Sequence, residues 1–261
     1  MRILITNDDG IYSEGLWKLA EALSEIGQVS VVAPDRNLSG AGTAMTLISI
    51  IRADKFASPL SGVEAYAVQG TPSDCVVLGM KTLFNSPFDV VASGINQGAN
   101  IGMDVLISGT VGGALRGYFN GVPSMAVSSA YRDKQEIRYE LAAEVARELA
   151  RSLRDRNVTE PMLLNVNVPD QERASIECLD VTNLGPVAYI EEVETGQDGI
   201  RTHYWVRHRR PADIDVPSGT DVWAVRNGRI SITPLDILGG NQCSSSTVEA
   251  LARDVRGAFN L

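Results

Sequence analysis

Asp8 and Asp9 stand side by side immediately after the apolar run Arg2–Thr6, within Thr6-Asn7-Asp8-Asp9-Gly10. The run is rich in Ile and Leu and reads as a buried parallel strand, which puts both carboxylates at a strand's carboxyl end. Open parallel sheets bind ligands at that edge. Adjacent like charges repel unless water or a cation neutralises them, and carboxylate oxygens suit a hard divalent ion such as Mg²⁺ or Mn²⁺. The same Asn-Asp-Asp-Gly string is also good turn chemistry, so taken alone it reads equally well as an acidic turn. Asn7 is expected to support the acidic pair through hydrogen bonds.

Three further segments share the character of this one. Ala33-Pro34-Asp35-Arg36-Asn37-Leu38-Ser39-Gly40 follows a second apolar run, and Ser39 offers a hydroxyl on a flexible loop. Ser93-Gly94-Ile95-Asn96-Gln97-Gly98 follows a third, where Asn96 can supply a neutral oxygen. Ser108-Gly109-Thr110-Val111-Gly112-Gly113 is a small-residue turn entering a helix. Backbone amides at a helix start, with the hydroxyls of Ser108 and Thr110 beside them, make an anion site. Each of the three has a plainer reading, as a polar loop or a helix cap. Their convergence on one crevice, with two carboxylates, two neutral oxygens and a phosphate cradle, points to metal-assisted phosphoryl hydrolysis.

The surrounding elements must deliver these loops to one rim. Ser13 is placed to cap a helix from Glu14, with Leu16, Leu19, Ala20 and Leu23 at helical spacing and Gly27 past its end. Val29–Ala33 then completes a βαβ unit with a right-handed crossover. Further strands are expected at Ala65–Val68, Asp89–Ser93, Ser124–Ser128 and Leu163–Val168, the last taken as the end of the main sheet. Helices are expected at Gly109–Asn120 and Glu136–Arg154, and one opens at Thr71-Pro72-Ser73-Asp74 with a cap, a first-turn proline and an acid at the third position. Cys75, Trp17 and Trp223 read as packing residues. From Val181 to Gly219 an acidic stretch and a basic one, Arg201 to Arg210, alternate with Tyr204, Trp205 and Val206, as in β-hairpin arms. Strand Gly228–Thr233 and a helix from Ser246 to Phe259 end the chain. The fold class is therefore α/β, a mostly parallel sheet flanked by helices, with C-terminal β-hairpin arms; we divide it into a core, 1–180, and an arm-and-helix segment, 181–261.

The chain has 261 residues and a net charge of −9, a field that repels phosphate polymers and argues against a nucleic-acid coat. No apolar run approaches the roughly 20 residues that span a bilayer, and the N-terminal run meets acids too soon for a leader, so we expect a cytoplasmic protein without a membrane partner. Three separated cysteines, Cys75, Cys178 and Cys243, fit reduced thiols. With only His203 and His208, a site built on several histidines is excluded. There is no Gly-rich phosphate loop ending in Lys-Ser/Thr, no dinucleotide fingerprint after the first strand and no Gly-x-Ser-x-Gly elbow. A Mg²⁺-binding receiver module also pairs acids after its first strand, but it needs a later-strand aspartate where this chain has Ser93 and Asn96. The arm's arginines and aromatics admit single-strand nucleic-acid stacking, yet the neighbouring acids favour pairing across an arm or subunit interface.

Together these motifs resemble the SurE family (survival protein E, a 5′/3′-nucleotidase). The matching segments are ITNDDG at 5–10, VVAPDRNLSGAG at 31–42, GTPSDCV at 70–76, SGINQGANIG at 93–102, SGTVGGALRG at 108–117, LNVNVP at 164–169 and SITPL at 231–235. The resemblance implies a Rossmann-like core and a divalent-metal-dependent phosphatase acting on nucleoside monophosphates, with short polyphosphates left open as a further substrate. It implies one Mg²⁺ or Mn²⁺ per subunit on Asp8, Asp9, Ser39 and Asn96, with Asn96, Ser108, Gly109 and Thr110 beside the substrate phosphate. Asp8 or Asp9 would accept a proton from water, direct carboxylate attack being the alternative. A homodimer or homotetramer with exchanged C-terminal arms is also implied. One departure is Ala44, where similar sequences often carry a serine.

Overall fold

The computed structural model describes residues 1–130, 137–186, 190–209, 215–236 and 245–261. Arg210 of the basic stretch, Cys243 and Glu136, the expected start of a helix, lie outside them. The main sheet is built from β1 (Arg2–Thr6), β2 (Gln28–Pro34), β3 (Ala53–Phe56), β4 (Glu64–Val68), β5 (Val90–Gln97), β6 (Ser124–Ala130), β7 (Leu163–Pro169), β8 (Leu179–Val181) and β11 (Ile230–Pro234). Its strand order is β3-β4-β2-β1-β5-β6-β7-β11-β8. All neighbours are parallel except β3 on β4 and β11 on β7, which are antiparallel. From β1 the chain steps to β2 and β4 on one side, then returns to lay β5 on the other. That reversal is the topological switch point where such sheets open a ligand crevice, and β1 and β5 carry the acids and Asn96.

Alternate side chains of β1 show how the sheet makes two cores. Ile3 and Ile5 face a layer formed by α1 (Glu14–Ser24), α4 (Glu140–Asp155) and α6 (Ser245–Phe259). Leu4 faces the layer of α2 (Pro72–Leu78). α3 (Gly109–Phe119) lies on that same side, with Val111, Ala114 and Leu115 packed on Ala126 and Leu163. Burial of a Leu or Ile side chain contributes about 1.5–3 kcal/mol, so these two apolar layers account for the sheet's sandwiching. α2 carries the expected capping box: Thr71 Oγ1 accepts from Asp74 N, and Asp74 Oδ2 accepts from Thr71 N at 2.9 Å. Among the described residues no helix is long and apolar enough to cross a membrane.

The sheet does not end at β7. β11 is inserted antiparallel beside it and β8 pairs with β11 in parallel. α6 also packs into the core through Val248, Leu251, Ala252 and Val255. Among the described residues beyond 180, β11 and α6 pack with the core, and the hairpin forms a sheet of its own. That hairpin, β9 (Ile190–Asp198) and β10 (Arg201–Arg209), forms a separate two-stranded sheet. Its register sets Val206 opposite Val193 and Trp205 opposite Glu194. At its base Asn183 bridges Thr220, just ahead of α5 (Asp221–Arg226).

Candidate active site

A cleft of about 420 Å³ opens at the carboxyl ends of β1 and β5, and Asp8, Ser39, Asn96 and Ser108 all line it. These four come from four different loops, while Asp9, Gly109 and Thr110 lie outside the cleft's lining. Asp8 lies two residues past the end of β1 and is nearly buried, 3% exposed. Its backbone carbonyl accepts from Leu38 N at 2.7 Å, which ties the Ser39 loop to the acidic turn. Asn7 does not touch the acids through its side chain. It braces the turn instead: Nδ2 donates to Gly10 O at 3.1 Å and Ser13 Oγ at 2.6 Å, while Oδ1 accepts from Gly10 N at 3.2 Å. Ser13 thus receives the turn rather than capping α1 with its side chain.

Asp9 sits between two loops. Its Oδ1 accepts from Asn37 Nδ2 at 3.0 Å and its Oδ2 from Gln97 N at 3.3 Å. Asn37 Oδ1 in turn accepts from Ser39 Oγ at 2.7 Å and Ser39 N at 2.9 Å. Sequence reasoning missed Asn37, although it lies within a quoted motif; one amide side chain here positions both an acid and a hydroxyl. The pairing of β5 with β6 slips between Ser93 and Asn96, an irregularity that re-aims the strand end toward the cleft. Asn96 Nδ2 donates to Gly98 O at 2.8 Å, so its Oδ1 is the atom left to accept a hydrogen bond or ligate a cation.

The start of α3 closes the far wall. Ser108 caps it, its Oγ accepting from Val111 N at 3.1 Å. Gly109 lies against Asp8 so closely that a Cβ there would fall 2.7 Å from the Asp8 Cβ. Thr110, expected at the phosphate, is fully buried, and its hydroxyl donates to Asp8 Oδ1. Burial pushes the Asp8 carboxyl up from its ordinary value, and hydrogen bonds from the Thr110 hydroxyl and nearby backbone amides oppose this. Asp9 is pushed up to about 6, first by burial and then by the charge of Asp8, against the Gln97 amide and Asn37.

Behind the cleft lies a second feature not anticipated. Asn100 O accepts from Asn165 Nδ2 at 2.8 Å and Asn167 Nδ2 at 2.9 Å, and Asn100 N donates to Asn167 Oδ1 at 2.9 Å. Both strand asparagines are completely buried. The alternation Asn165-Val166-Asn167 within LNVNVP was the available signal: polar residues at every second position of a buried strand must find partners.

Among the described residues no group of three or more His, Cys, Asp or Glu side chains could hold an ion. Asp8 and Asp9 bring two carboxylates to this rim, and the oxygens that accompany them, from Ser39 and Asn96, are neutral. The donor set, carboxylate, amide and hydroxyl oxygen without sulfur or imidazole, fits a hard divalent cation.

Known proteins resemble this chain along most of its length. A family model described as Survival protein SurE matches residues 3–191. A protein of Dehalococcoides mccartyi named 5′-nucleotidase SurE is 47% identical over 235 residues, covering 90% of this chain and 88% of that protein. One of the same name from Geobacter sulfurreducens is 41% identical over 251 residues, covering 96% of this chain and 93% of the other. The crystal structure of the SurE protein from Aquifex aeolicus shares 36% identity with a TM-score of 0.77, covering 96% of this chain and 99% of that one. By its motifs, its sheet order and these relatives, the chain belongs to the SurE family.

Proposed function

We propose that the chain is a divalent-metal-dependent nucleotidase, hydrolysing nucleoside 5′- and 3′-monophosphates to nucleoside and phosphate, with short polyphosphates as a second substrate class. The observation that carries this reading is Asp8, nearly buried at the switch point and facing one cleft with Ser39, Asn96 and Ser108. The 5′-nucleotidase name of its relatives supports it.

Asp8, Asp9, Ser39 and Asn96 would hold one Mg²⁺ or Mn²⁺, which supplies charge neutralisation for the phosphoryl group and acidifies water. The remaining work falls to the chain. Thr110 donates to Asp8, orients it and favours its ionised form. Asn37 holds Asp9 and Ser39 in a shared register. Asp8 or Asp9 would accept the proton of the attacking water. The amides and partial positive charge at the start of α3, beside Ser108, stabilise non-bridging phosphate oxygens.

The hairpin presents Val193, Tyr204, Trp205 and Val206 to solvent, an apolar surface that suits arm exchange in a dimer or tetramer. The deciding experiment measures phosphate release from a panel of nucleoside 5′- and 3′-monophosphates with Mn²⁺, with Mg²⁺ and with chelator. Turnover should need the ion and vanish in a folded Asp8→Asn protein. Full activity in that variant rejects the site.

A further inference from the structure

Asp221 is a carboxylate with no solvent exposure, more than a hundred residues beyond the segments that form the cleft. It opens α5, where Thr220 caps the helix. Its Oδ2 accepts from Gly102 N at 2.8 Å. Its Oδ1 accepts from Gly185 N and from Val222 N, both at 2.7 Å. One side chain therefore joins three backbone segments: the stretch after the Asn96 loop, the root of the hairpin arm and the start of α5.

The fit around it is close. Gly102 has φ +59°, and a Cβ there would lie 2.0 Å from Pro186 O. A Cβ at Gly185 would lie 2.6 Å from Val222 Cγ2. Ala99 and Ile101 pack with Val222 and Val225 in a small apolar cluster of their own. Beyond Gly102 the chain makes a short 3-10 turn, Gly102–Leu106, and arrives at the cleft, where Asp104, Ile107 and Ser108 form the wall. Ile107 O also accepts from Gly42 N at 3.0 Å, so the same segment supports the far end of the Ser39 loop.

We propose that Asp221 is a positioning residue for the hydrolytic cleft, its carboxylate fixing the backbone of residues 101–107 against the root of the hairpin arm. The proposal rests on the nucleotidase reading for its kinetic consequence, and on geometry alone for its structural one. A buried carboxylate is suited to the task because it accepts several amide donors at once, and charge-assisted bonds are the strong ones. Moving the arm's root displaces the acceptor for Gly102, and the cleft wall follows.

Asp221→Asn separates the two sides. The amide oxygen can keep Gly185 and Val222, while the NH₂ group meets the Gly102 N–H donor to donor. Three readouts are taken: thermal melting, kcat and KM for a nucleoside monophosphate with Mn²⁺, and amide hydrogen exchange by segment. Exchange over 99–108 should accelerate at least about tenfold, while β1 and β5 stay protected. The kcat/KM of the folded protein should fall about 10–100-fold, carried mainly by kcat, because misplacement of about 1 Å at a reacting centre costs up to that much. A merely structural role would lower the melting temperature and leave kcat per folded molecule unchanged, which overturns the proposal, as does unchanged exchange over 99–108. If Asp221→Asn fails to fold, Thr220→Ala removes only the cap and should give a smaller acceleration over the same segment; none would overturn the proposal. If the wild-type protein hydrolyses no nucleotide, the functional reading fails, and the exchange data still decide the role of Asp221.

Discussion

Gly109→Ala tests whether the contact between α3 and Asp8 governs catalysis. The added Cβ would stand 2.7 Å from Asp8 Cβ and 2.9 Å from Asp8 Oδ2, where ordinary contacts begin at 3.4 Å. One side must retreat by about 0.7 Å, and neither can do so by rotating a flexible tip, because the nearer atom, Asp8 Cβ, is bonded to the backbone of the turn after β1. Alanine is the better helix former by up to about 1 kcal/mol, so intrinsic propensity offsets part of the strain and the protein should remain folded. A shift of that size at a catalytic carboxylate should reduce kcat/KM about 10–100-fold, or about 1.4–2.7 kcal/mol of barrier. The assay is Mn²⁺-dependent phosphate release, with Mn²⁺ affinity measured in parallel. Gly257→Ala is the control, since a Cβ there meets nothing within 4 Å and activity should not change. A folded Gly109→Ala enzyme within twofold of wild type would refute the reasoning.

Thr110→Val keeps the shape and removes the donor to Asp8. Losing a bond to a charged group costs about 1.5–3 kcal/mol, so a rate loss of 10-fold or more is expected, with the acid limb of the pH profile moved upward; Thr110→Ser should restore both. Asp9 titrates at about 6 in the folded protein against an ordinary 3.8, so its protonated form is favoured by folding. Its contribution to stability is full below 3.8 and lost as pH rises through about 6, whereas Mn²⁺ binding needs the ionised form and tightens over the same rise. Melting of chelator-treated wild type against Asp9→Asn, and Mn²⁺ titration across this range, check the two signs. Val206→Asp places a charge on the exposed pair that Val206 makes with Val193, and light scattering should show a smaller assembly; an unchanged mass would argue against arm exchange.

Much of the site was legible because its residues sit at strand ends, and strand ends can be found from short apolar runs. Asp8, Ser39 and Asn96 were read from the rule that parallel strands share one binding edge, and Ser108 from the small-residue start of a helix. What could not be read was direction. Nothing in Ser108-Gly109-Thr110 says that the threonine hydroxyl turns inward to Asp8, because the close approach of Gly109 to Asp8 is visible only in three dimensions. The sheet's margins were likewise hidden. β3 is four residues long and mostly exposed, and β8 has only three, so neither carries a periodic signal. β11 was found as a strand, but its place beside β7 depends on a long return through the arm. Asp221 is a single acid among many in the sequence, and its burial follows from Gly102 and Gly185, which are brought to it only in three dimensions.

Asn183 N donates to Gly219 O at 3.0 Å, so the polypeptide leaves and re-enters the body at practically the same point. Whatever lies between is a lariat tied at its neck. Lengthening such a loop weighs only logarithmically on stability, about 0.6 kcal/mol for each doubling. Outgrowths of very different reach can therefore hang from one body, and a reporter or affinity module spliced in at the hairpin tip, Gly199-Ile200, would leave the sheet's folding thermodynamics nearly untouched.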